Sequence, residues 1–400
     1  MLSNFLREYN MSRIFLSNIG CWPFQSKLVR NSLWTFCFLL EISYCPFEIL
    51  LLYDHWNDAR MIFEAGYQIA IMTSFILRQA NQFWNYDKFR QLYKTIDEHW
   101  DIFTNDIEIQ ILKDYSSLSR KFTKYYSTSI YLMCTVYIII PLVPPLLDIV
   151  IPLNESRSRF FMIEVEFRID KNENFILIYC YTTAVIMVGM SIMVGTDGMH
   201  AICTAHVCSL FAAISEQIEN IFLKTNNNKN IGKHHVNAEL DLLNEEIIYR
   251  EYIVYLKKHQ LAIEFVNILE SSYQGLSLFI LLLIIGALSL VGIRIIYALE
   301  LRETIKFIFV VIGLLITLMI ICYSGQKIMD ESQDIFYRAY AAEWYNFSPR
   351  IKSLMIITLY RTNVPCGLKA GNMVPLSIAT YASVVKMAMS YFTAFSSLQE

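Results

Sequence analysis

The chain has little charge for its length. Only 17% of its 400 residues are Asp, Glu, Lys or Arg, and 55% are hydrophobic. Soluble domains contain about 25% charged residues. The formal net charge of −3 gives no basic surface of the kind that binds nucleic acid. The composition therefore indicates a membrane protein and excludes an ordinary soluble domain, and we expect no nucleic-acid partner.

Motifs that carry enzyme chemistry are missing from the sequence. It contains no GxSxG, no P-loop and no HExxH, so we predict that it is not an enzyme and needs no cofactor. His200, Cys203, His206 and Cys208 have a spacing that suggests a metal site. On a helix, fewer than three of them would converge, so we predict no metal site.

Secretory features are also scarce. Residues 1–32 contain no uninterrupted apolar run, so we expect no cleavable signal peptide. Of the 9 cysteines, several fall inside apolar segments, and the predicted exterior loops contain none. A disulfide framework is therefore not expected.

Long apolar segments are what the chain does have. A helix needs about 20 mostly apolar residues to cross a bilayer. We predict an all-α integral membrane protein that forms one domain over residues 1–400 in the lipid bilayer. Pro141, Pro144 and Pro145 should kink the third span. The seven predicted transmembrane helices cover residues 33–53, 63–82, 129–151, 174–199, 273–296, 305–324 and 374–397.

Positive charge predicts the orientation of these spans. The N-terminal arm and the even-numbered connections carry roughly threefold more Lys and Arg than the other side. We therefore predict a cytoplasmic N-terminus and an extracellular C-terminus. Asn154, in an Asn-Glu-Ser sequon, would lie outside as a candidate glycosylation site.

The cytoplasmic connections are long and have a helical apolar spacing. Tyr255, Val266 and Leu269 belong to this pattern, which predicts that the fifth and sixth helices extend past the membrane into an intracellular helical anchor bundle. Thr225–His235, which is rich in Asn, is expected to be a loop.

Aromatic and aliphatic residues in the outer halves of four spans form a candidate ligand site. The proline-rich kink could open a cavity beside them. The alternative is that these residues are ordinary core or interfacial aromatics. The candidates are Tyr67, Ile71, Tyr137, Ile140, Phe175, Ile178, Tyr179, Thr182, Phe309 and Ile312.

The final span has one narrow face of small, hydroxyl and thioether side chains. At 100° per residue, this face spans an arc of about 80°. Such a face can serve close helix packing or line an aqueous path, and the pattern leaves both open. Lys386 on the same span could pair with Glu41, Glu48 or Asp148, line an ion path, extend its amine to the membrane interface or hold another structural contact. The face consists of Ser383, Met387, Ser390, Ala394 and Ser397.

Three stretches of the second half resemble the insect odorant receptor family. The first is GTDGMHAICTAHVCSLFAAISEQIENI, with Asp197 and His206 in the family's pattern. The second is REYIVYLKKHQLAIEFVNILESSYQGLSLFILL, with His259 and Asn267. The third and most specific is the C-terminal GLKAGNMVPLSIATYASVVKMAMSYFTAFSSL. In length and topology the likeness extends over the whole chain.

The resemblance implies a tuning subunit of a tetrameric, ligand-gated, non-selective cation channel. In this family, a small volatile ligand binds in the outer half of the helical bundle, and a co-receptor subunit completes the hetero-tetramer in the plasma membrane of a sensory neuron dendrite. The last helix lines the pore, so the resemblance assigns the small face to the pore wall. Ala394 then stands at the position of the hydrophobic gate, where a larger aliphatic residue is expected.

Two alternatives belong to other receptor classes. A gustatory-receptor-like channel carries a Tyr–(five apolar)–Gln pattern, but this chain has Ser397 at the Gln position. A G-protein-coupled chemoreceptor requires the opposite topology, and its DRY and NPxxY motifs are absent from the expected spans.

Overall fold

The computed structural model describes residues 2–151, 157, 159, 161, 163–171, 173–232, 238–296, 301–342 and 344–397. Within these ranges the fold is α-helical, as predicted. The α-helices are α1 (Ser3–Asn18), α2 (Lys27–Asp54), α3 (Ala59–Trp84), α4 (Tyr86–Ile102), α5 (Asp106–Ile139), α6 (Val143–Val150), α7 (Phe175–Gly232), α8 (Ala238–Ile296), α9 (Leu301–Ala341), α10 (Pro349–Thr362) and α11 (Ile378–Ser397). Two short strands, β1 (Lys369–Ala370) and β2 (Val374–Pro375), pair antiparallel.

Five helical segments of the described chain are long and apolar enough to cross a membrane: α2, α5 with α6, α7, α8 and α9. The other two predicted spans, 63–82 and 374–397, fall on α3 and α11. Buried Glu64 and Arg78 lower the hydropathy of α3, and Lys386 with several Ser and Thr residues lowers that of α11. The protein is a multi-pass membrane protein, and the depth of each helix in the bilayer stays a prediction.

Three local expectations meet different outcomes. The kink in the third span is present as a 3-10 turn, Ile140–Leu142, between α5 and α6, because the prolines cannot donate the helical hydrogen bonds. The loop expected at Thr225–His235 is wrong in its first part, since α7 continues as helix to Gly232. The final helix begins at Ile378, because residues 374 and 375 form β2.

The helices meet at two ends that differ in architecture. At the loop end, residues 163–171 lie over the bundle, and Arg168 pairs with Asp54 at 2.7 Å from Nη2 to Oδ1. At the anchor end, α1, α4 and α10 pack on the extended parts of α5, α7, α8 and α9. Lys258 of α8 there binds both carboxylate oxygens of Glu108 on α5 at 2.7 Å. The predicted anchor bundle is therefore present.

Most of the buried apolar core lies at the anchor end. Tyr255, Val266 and Leu269, expected to pack there, are fully buried or nearly so. Tyr252 and Thr358 join α8 to α10 through their hydroxyls at 2.8 Å. These contacts fix the end of the bundle from which α11 begins.

The start of α11 rests directly on α9. A Cβ atom at Gly325 would lie 2.2 Å from the carbonyl oxygen of Leu376. No other residue type permits such a close approach of backbone to backbone. Gly325 therefore sets the position of α11 against the rest of the chain.

Candidate functional site

An apolar cavity of about 150 Å³ lies between α3, α5, α7, α8 and α9. Apolar side chains form most of its wall, and four of them are flexible methionines that adapt to irregular shapes. An apolar cavity of this size holds a single aromatic ring. The four methionines are Met72, Met133, Met190 and Met193.

Two buried ion clusters lie beyond the two ends of the cavity wall on α3. Towards the loop end, Glu64 binds both Arg294 and Lys306, and all three side chains are buried. Tyr67 lies one turn further along α3, where its ring meets that of Phe307 edge-on at a centroid distance of 5.9 Å. Tyr67 and Phe307 thus separate the cavity from the ions.

The second ion cluster lies at the anchor side of the cavity. Arg78 contacts both carboxylate oxygens of Asp197 at 3.2 Å, from Nε and Nη2. The hydroxyl of Tyr126 donates to Asp197 Oδ2, also at 3.2 Å. Eleven residues separate Tyr67 from Arg78, so the cavity wall on α3 is about 16 Å long at 1.5 Å per residue.

The structure brings four of the ten candidate ligand residues to this cavity: Tyr67, Ile71, Tyr137 and Phe309. They come from three of the four expected helices, α3, α5 and α9. On α7, the fourth, the wall is formed by Ile186, Met190 and Met193 instead of the candidates.

Two further candidates lie beside a smaller void. Tyr179 and Thr182 line a gap of about 10 Å³ that shares Tyr137 and Ile186 with the main cavity. The hydroxyl of Tyr179 donates to the carbonyl oxygen of Ile138 at 3.1 Å, and that of Thr182 donates to Ile178 O at 2.9 Å. Their polar groups are therefore used within the bundle.

The remaining four candidates do not line either void. Phe175 and Ile178 are buried, and the ring of Phe175 stacks on Tyr179 at 6.1 Å. Ile140 begins the 3-10 turn, and Ile312 is 41% exposed on the outside of α9. The candidate glycosylation site Asn154 lies outside the described residues.

Sequence reasoning missed the contributions of α8 and α2. Ile280, Leu283, Ile284 and Ala287 of α8 line the cavity, as does Glu48 of α2. The spacing of the α8 residues is that of one helical face. A face could not be chosen on α8, because that segment is apolar on all sides. Glu48 carried a usable signal, since it is a carboxyl group within a predicted span.

The small face of α11 points away from the rest of the chain. All five of its residues, Ser383, Met387, Ser390, Ala394 and Ser397, are exposed. The opposite side packs on α8 and α9 through buried Val384 and Ala388. Ser289 of α8 donates a hydrogen bond to Ala388 O at 3.2 Å. Packing within the chain therefore does not account for the small face.

Lys386 is also exposed on α11. Among the described residues it forms no ion pair: Asp148 pairs with Arg157 at 2.7 Å, and Glu41 and Glu48 are not in contact with a cation. The pairing that we considered from the sequence is therefore not formed within one chain.

A long helical bundle with an apolar cavity and an exposed small-residue helix defines a multi-pass membrane protein with space for a small molecule between its helices. Comparison with known proteins narrows this class. The family model described as 7tm Odorant receptor matches residues 59–389. The chain belongs to the 7tm odorant receptor family, a family of receptors and not of enzymes.

Individual relatives share parts of the sequence. Odorant receptor 22b of Drosophila melanogaster is 26% identical over 150 residues, which is 37% of this chain and 38% of that protein. Odorant receptor 9a of the same species is 35% identical over 89 residues, or 22% of each chain. The alignments thus cover less than half the length of these relatives.

Solved structures match over nearly the whole chain. The insect olfactory receptor OR5 from Machilis hrabei, in complex with eugenol, superposes with a TM-score of 0.79 at 11% identity and covers 99% of both chains. The same receptor without a named ligand gives a TM-score of 0.76 at 12% identity over 98% of both chains. At these identities the likeness establishes the fold.

Proposed function

We propose that this chain is the tuning subunit of an odorant-gated, non-selective cation channel. The observation that carries the proposal is the apolar cavity of about 150 Å³, which is lined by six helices of one subunit. Family membership supports an odorant as its ligand. OR5, a receptor of this fold, has been solved in complex with a small compound, eugenol.

The cavity limits how tightly such a ligand binds. A volatile compound of about ten non-hydrogen atoms gains at most a few tenths to one kcal/mol per atom, which gives roughly micromolar affinity or weaker. Channel opening then depends on stronger binding to the open state than to the closed state. Four methionines in the wall let the cavity adjust between these states.

The exposed face of α11 supports a pore-lining role for Ser383, Met387, Ser390, Ala394 and Ser397. Small hydroxyl side chains that meet no other part of their own chain are suited to an aqueous path formed with neighbouring subunits. The weak gate expected at Ala394 then depends on the larger side chains of a co-receptor subunit. Tyr67, Ile71, Tyr137 and Phe309 are the proposed ligand contacts.

Assembly with a co-receptor is supported by apolar surface at the anchor end. Ile356, Ile357 and Tyr360 of α10 are exposed by 54%, 59% and 84%. They lie beyond the predicted spans, where water and not lipid would cover them. Exposed apolar patches of this kind mark protein interfaces. We assign this patch to the contact between subunits of a hetero-tetramer in the plasma membrane of sensory dendrites.

Recording of current from cells that express this chain with a co-receptor tests the function. A volatile panel should evoke cation currents that need both subunits and persist when G-protein signalling is blocked. Currents that vanish with the block would contradict a channel mechanism. A C-terminal tag should also be accessible on unpermeabilised cells, because the proposed topology places the C-terminus outside; an inaccessible tag contradicts it.

A further inference from the structure

Glu48 is a buried carboxyl group at the wall of the cavity. Its side chain is 1% exposed to solvent, and the residue borders the cavity from α2. The carboxylate oxygen Oε1 has no hydrogen-bond partner among the described residues. Buried polar atoms are nearly always hydrogen-bonded, so an orphaned one that borders a cavity points to a missing partner.

The cations near the cavity are paired with other carboxylates, and none forms an ion pair with Glu48 among the described residues. Arg78 also borders the cavity, but its Nε and Nη2 atoms contact Asp197. Arg294 and Lys306 are held by Glu64. An isolated carboxylate in an apolar interior costs far more than a neutral acid. Glu48 is therefore protonated, and a protonated carboxyl group has an O–H to donate.

A second buried polar group, the hydroxyl of Tyr67, borders the cavity at a similar depth. The Tyr67 hydroxyl also forms no hydrogen bond of normal geometry within the described part of the chain, although the side chain of Gln68 lies close to it. Glu48 lies six residues before the end of α2, and Tyr67 eight residues after the start of the antiparallel α3. At 1.5 Å per residue, the two differ in depth by about 3 Å. Both donors therefore lie at a similar depth in the cavity wall.

We propose that Glu48 and Tyr67 donate hydrogen bonds to oxygen on the ligand. The cavity then selects a compact ketone, aldehyde, ester or alcohol over a hydrocarbon or an amine of the same shape. The apolar wall encloses the carbon skeleton, and the two donors recognise the oxygen. This role of Glu48 and Tyr67 rests on the proposed function of the cavity as the odorant site.

Matched ligand pairs test the selection. Cells that express the chain with a co-receptor are exposed to acetophenone and α-methylstyrene, to benzaldehyde and styrene, to cyclohexanone and methylenecyclohexane, and to 1-phenylethylamine. Each oxygen compound should evoke half-maximal current at a concentration about fivefold to tenfold lower than its hydrocarbon partner, as expected for one or two net hydrogen bonds.

Substitutions then connect the preference to the two residues. Glu48→Leu and Tyr67→Phe should each reduce the ratio between oxygen compound and hydrocarbon towards one. Glu48→Gln, whose amide also donates, should keep most of it. Glu41→Leu and Tyr44→Phe are the matched controls: both residues are fully buried on α2 with unpaired oxygens, but neither borders the cavity. The controls should keep the wild-type ratio.

The outcomes separate this selection from the function itself. Equal responses to oxygen compounds and hydrocarbons in the wild type, or a ratio that Glu48→Leu leaves unchanged at normal surface expression, overturn the proposal. The proposal is also overturned if the amine evokes the strongest response and Glu48→Gln abolishes that response, because this result would show that Glu48 is a charged carboxylate. If the wild-type chain and its co-receptor give no current with any compound, the proposed function is contradicted, and so is the proposed ligand selection.

Discussion

At the scale of single residues, a buried ion pair lies at one end of the cavity wall. The Arg78–Asp197 pair closes the anchor side of the cavity wall and is almost completely buried. A buried pair is weak support for stability as such, but the loss of one partner leaves the other charge unpaired. The arrangement therefore makes each member of the pair intolerant of change.

Asp197→Asn should lower the free energy of unfolding by about 3–5 kcal/mol, because it leaves the Arg78 guanidinium buried without a counter-charge. Thermal unfolding of the detergent-solubilised protein measures this loss. Asp54→Asn is the control, since its partner Arg168 is more than half exposed and such pairs contribute about 1 kcal/mol or less. Equal losses in both variants would contradict the structural role given to Asp197.

The buried His99 makes the anchor bundle sensitive to acid. Its Nδ1 atom lies 3.0 Å from Nε2 of His206. Burial lowers the pKa of His99 to about 4 from its ordinary value of 6.5. Between these values the unfolded chain binds the proton and the folded chain does not, so stability should fall as the pH decreases from about 6.5 to 4.

His99→Phe should remove this part of the pH dependence while it keeps a ring against Phe265. At pH 5.5 the wild type should lose about 1.4 kcal/mol of folding free energy relative to pH 7.5 through His99. Unfolding temperatures of the two proteins at both pH values provide the measurement. A parallel decrease in wild type and variant would assign the acid sensitivity to other groups.

At the scale of helices, α11 contacts α8 where Gly292 leaves space for the ring of Phe392. A Cβ atom at Gly292 would lie 2.9 Å from the ring of Phe392. Because the ring is the end of a flexible side chain, a larger residue at 292 would displace Phe392 without disrupting the backbone. The position of the proposed pore helix is thus coupled to α8, which also forms part of the cavity wall.

Gly292→Leu should change the open probability or basal current of the co-expressed channel by several-fold and should leave the ratio between oxygen compounds and hydrocarbons nearly unchanged. The physical reason is that the substitution displaces Phe392 and so changes the packing of α11 on α8, whereas position 292 does not border the cavity. Gly286→Ala on the same helix is the control, because no atom of the described residues would lie within 4 Å of a Cβ atom at that position. Current recordings at equal surface expression check both; indistinguishable currents would show that this contact does not position α11.

The helices were predictable because long apolar runs leave the backbone no alternative in a bilayer. The break after Ile139 was predictable from its prolines. The start of α11 was not, because residues 374 and 375 are as apolar as a span and only their pairing with 369 and 370 makes them strands. The helix through Gly232 was missed because propensity favoured a loop there.

The cavity was only partly predictable for a related reason. Tyr67, Ile71, Tyr137 and Phe309 follow from residue type and depth. Ile312 does not, because Phe309 lies at one edge of the cavity face of α9 and Ile312 lies about 60° beyond that edge. The α8 wall was hidden in an unbroken apolar run. Glu48 shows that a carboxyl group in a span deserves more weight than an aromatic one.

At the scale of the whole molecule, one chain contains the whole cavity wall, whereas the surfaces proposed for the pore and for subunit contact are left uncovered. The cavity is lined by helices of a single subunit. The small face of α11 and the apolar patch on α10, in contrast, are exposed. Ligand recognition is therefore expected to belong to the subunit, and conduction to the oligomer.

Ile357→Glu should weaken assembly with the co-receptor by at least tenfold, because it places a charge in the apolar patch of α10. Co-purification of tagged subunits and native mass measurement report the loss. Thr104→Glu, at an exposed position of the loop between α4 and α5, adds the same charge outside the patch and should assemble normally. Normal assembly of Ile357→Glu would exclude this surface from the subunit contact.

The two ion clusters that bracket the cavity suggest how such a receptor can diverge. The length of the cavity along α3 is fixed between Glu64 and Arg78, and a change in that length needs compensation by several charged residues at once. The width of the cavity is set by methionines, which single substitutions can replace without loss of fold. Descendants of this chain can therefore shift readily between slender and broad odorants, whereas a shift between short and long ones is a rarer, multi-step event.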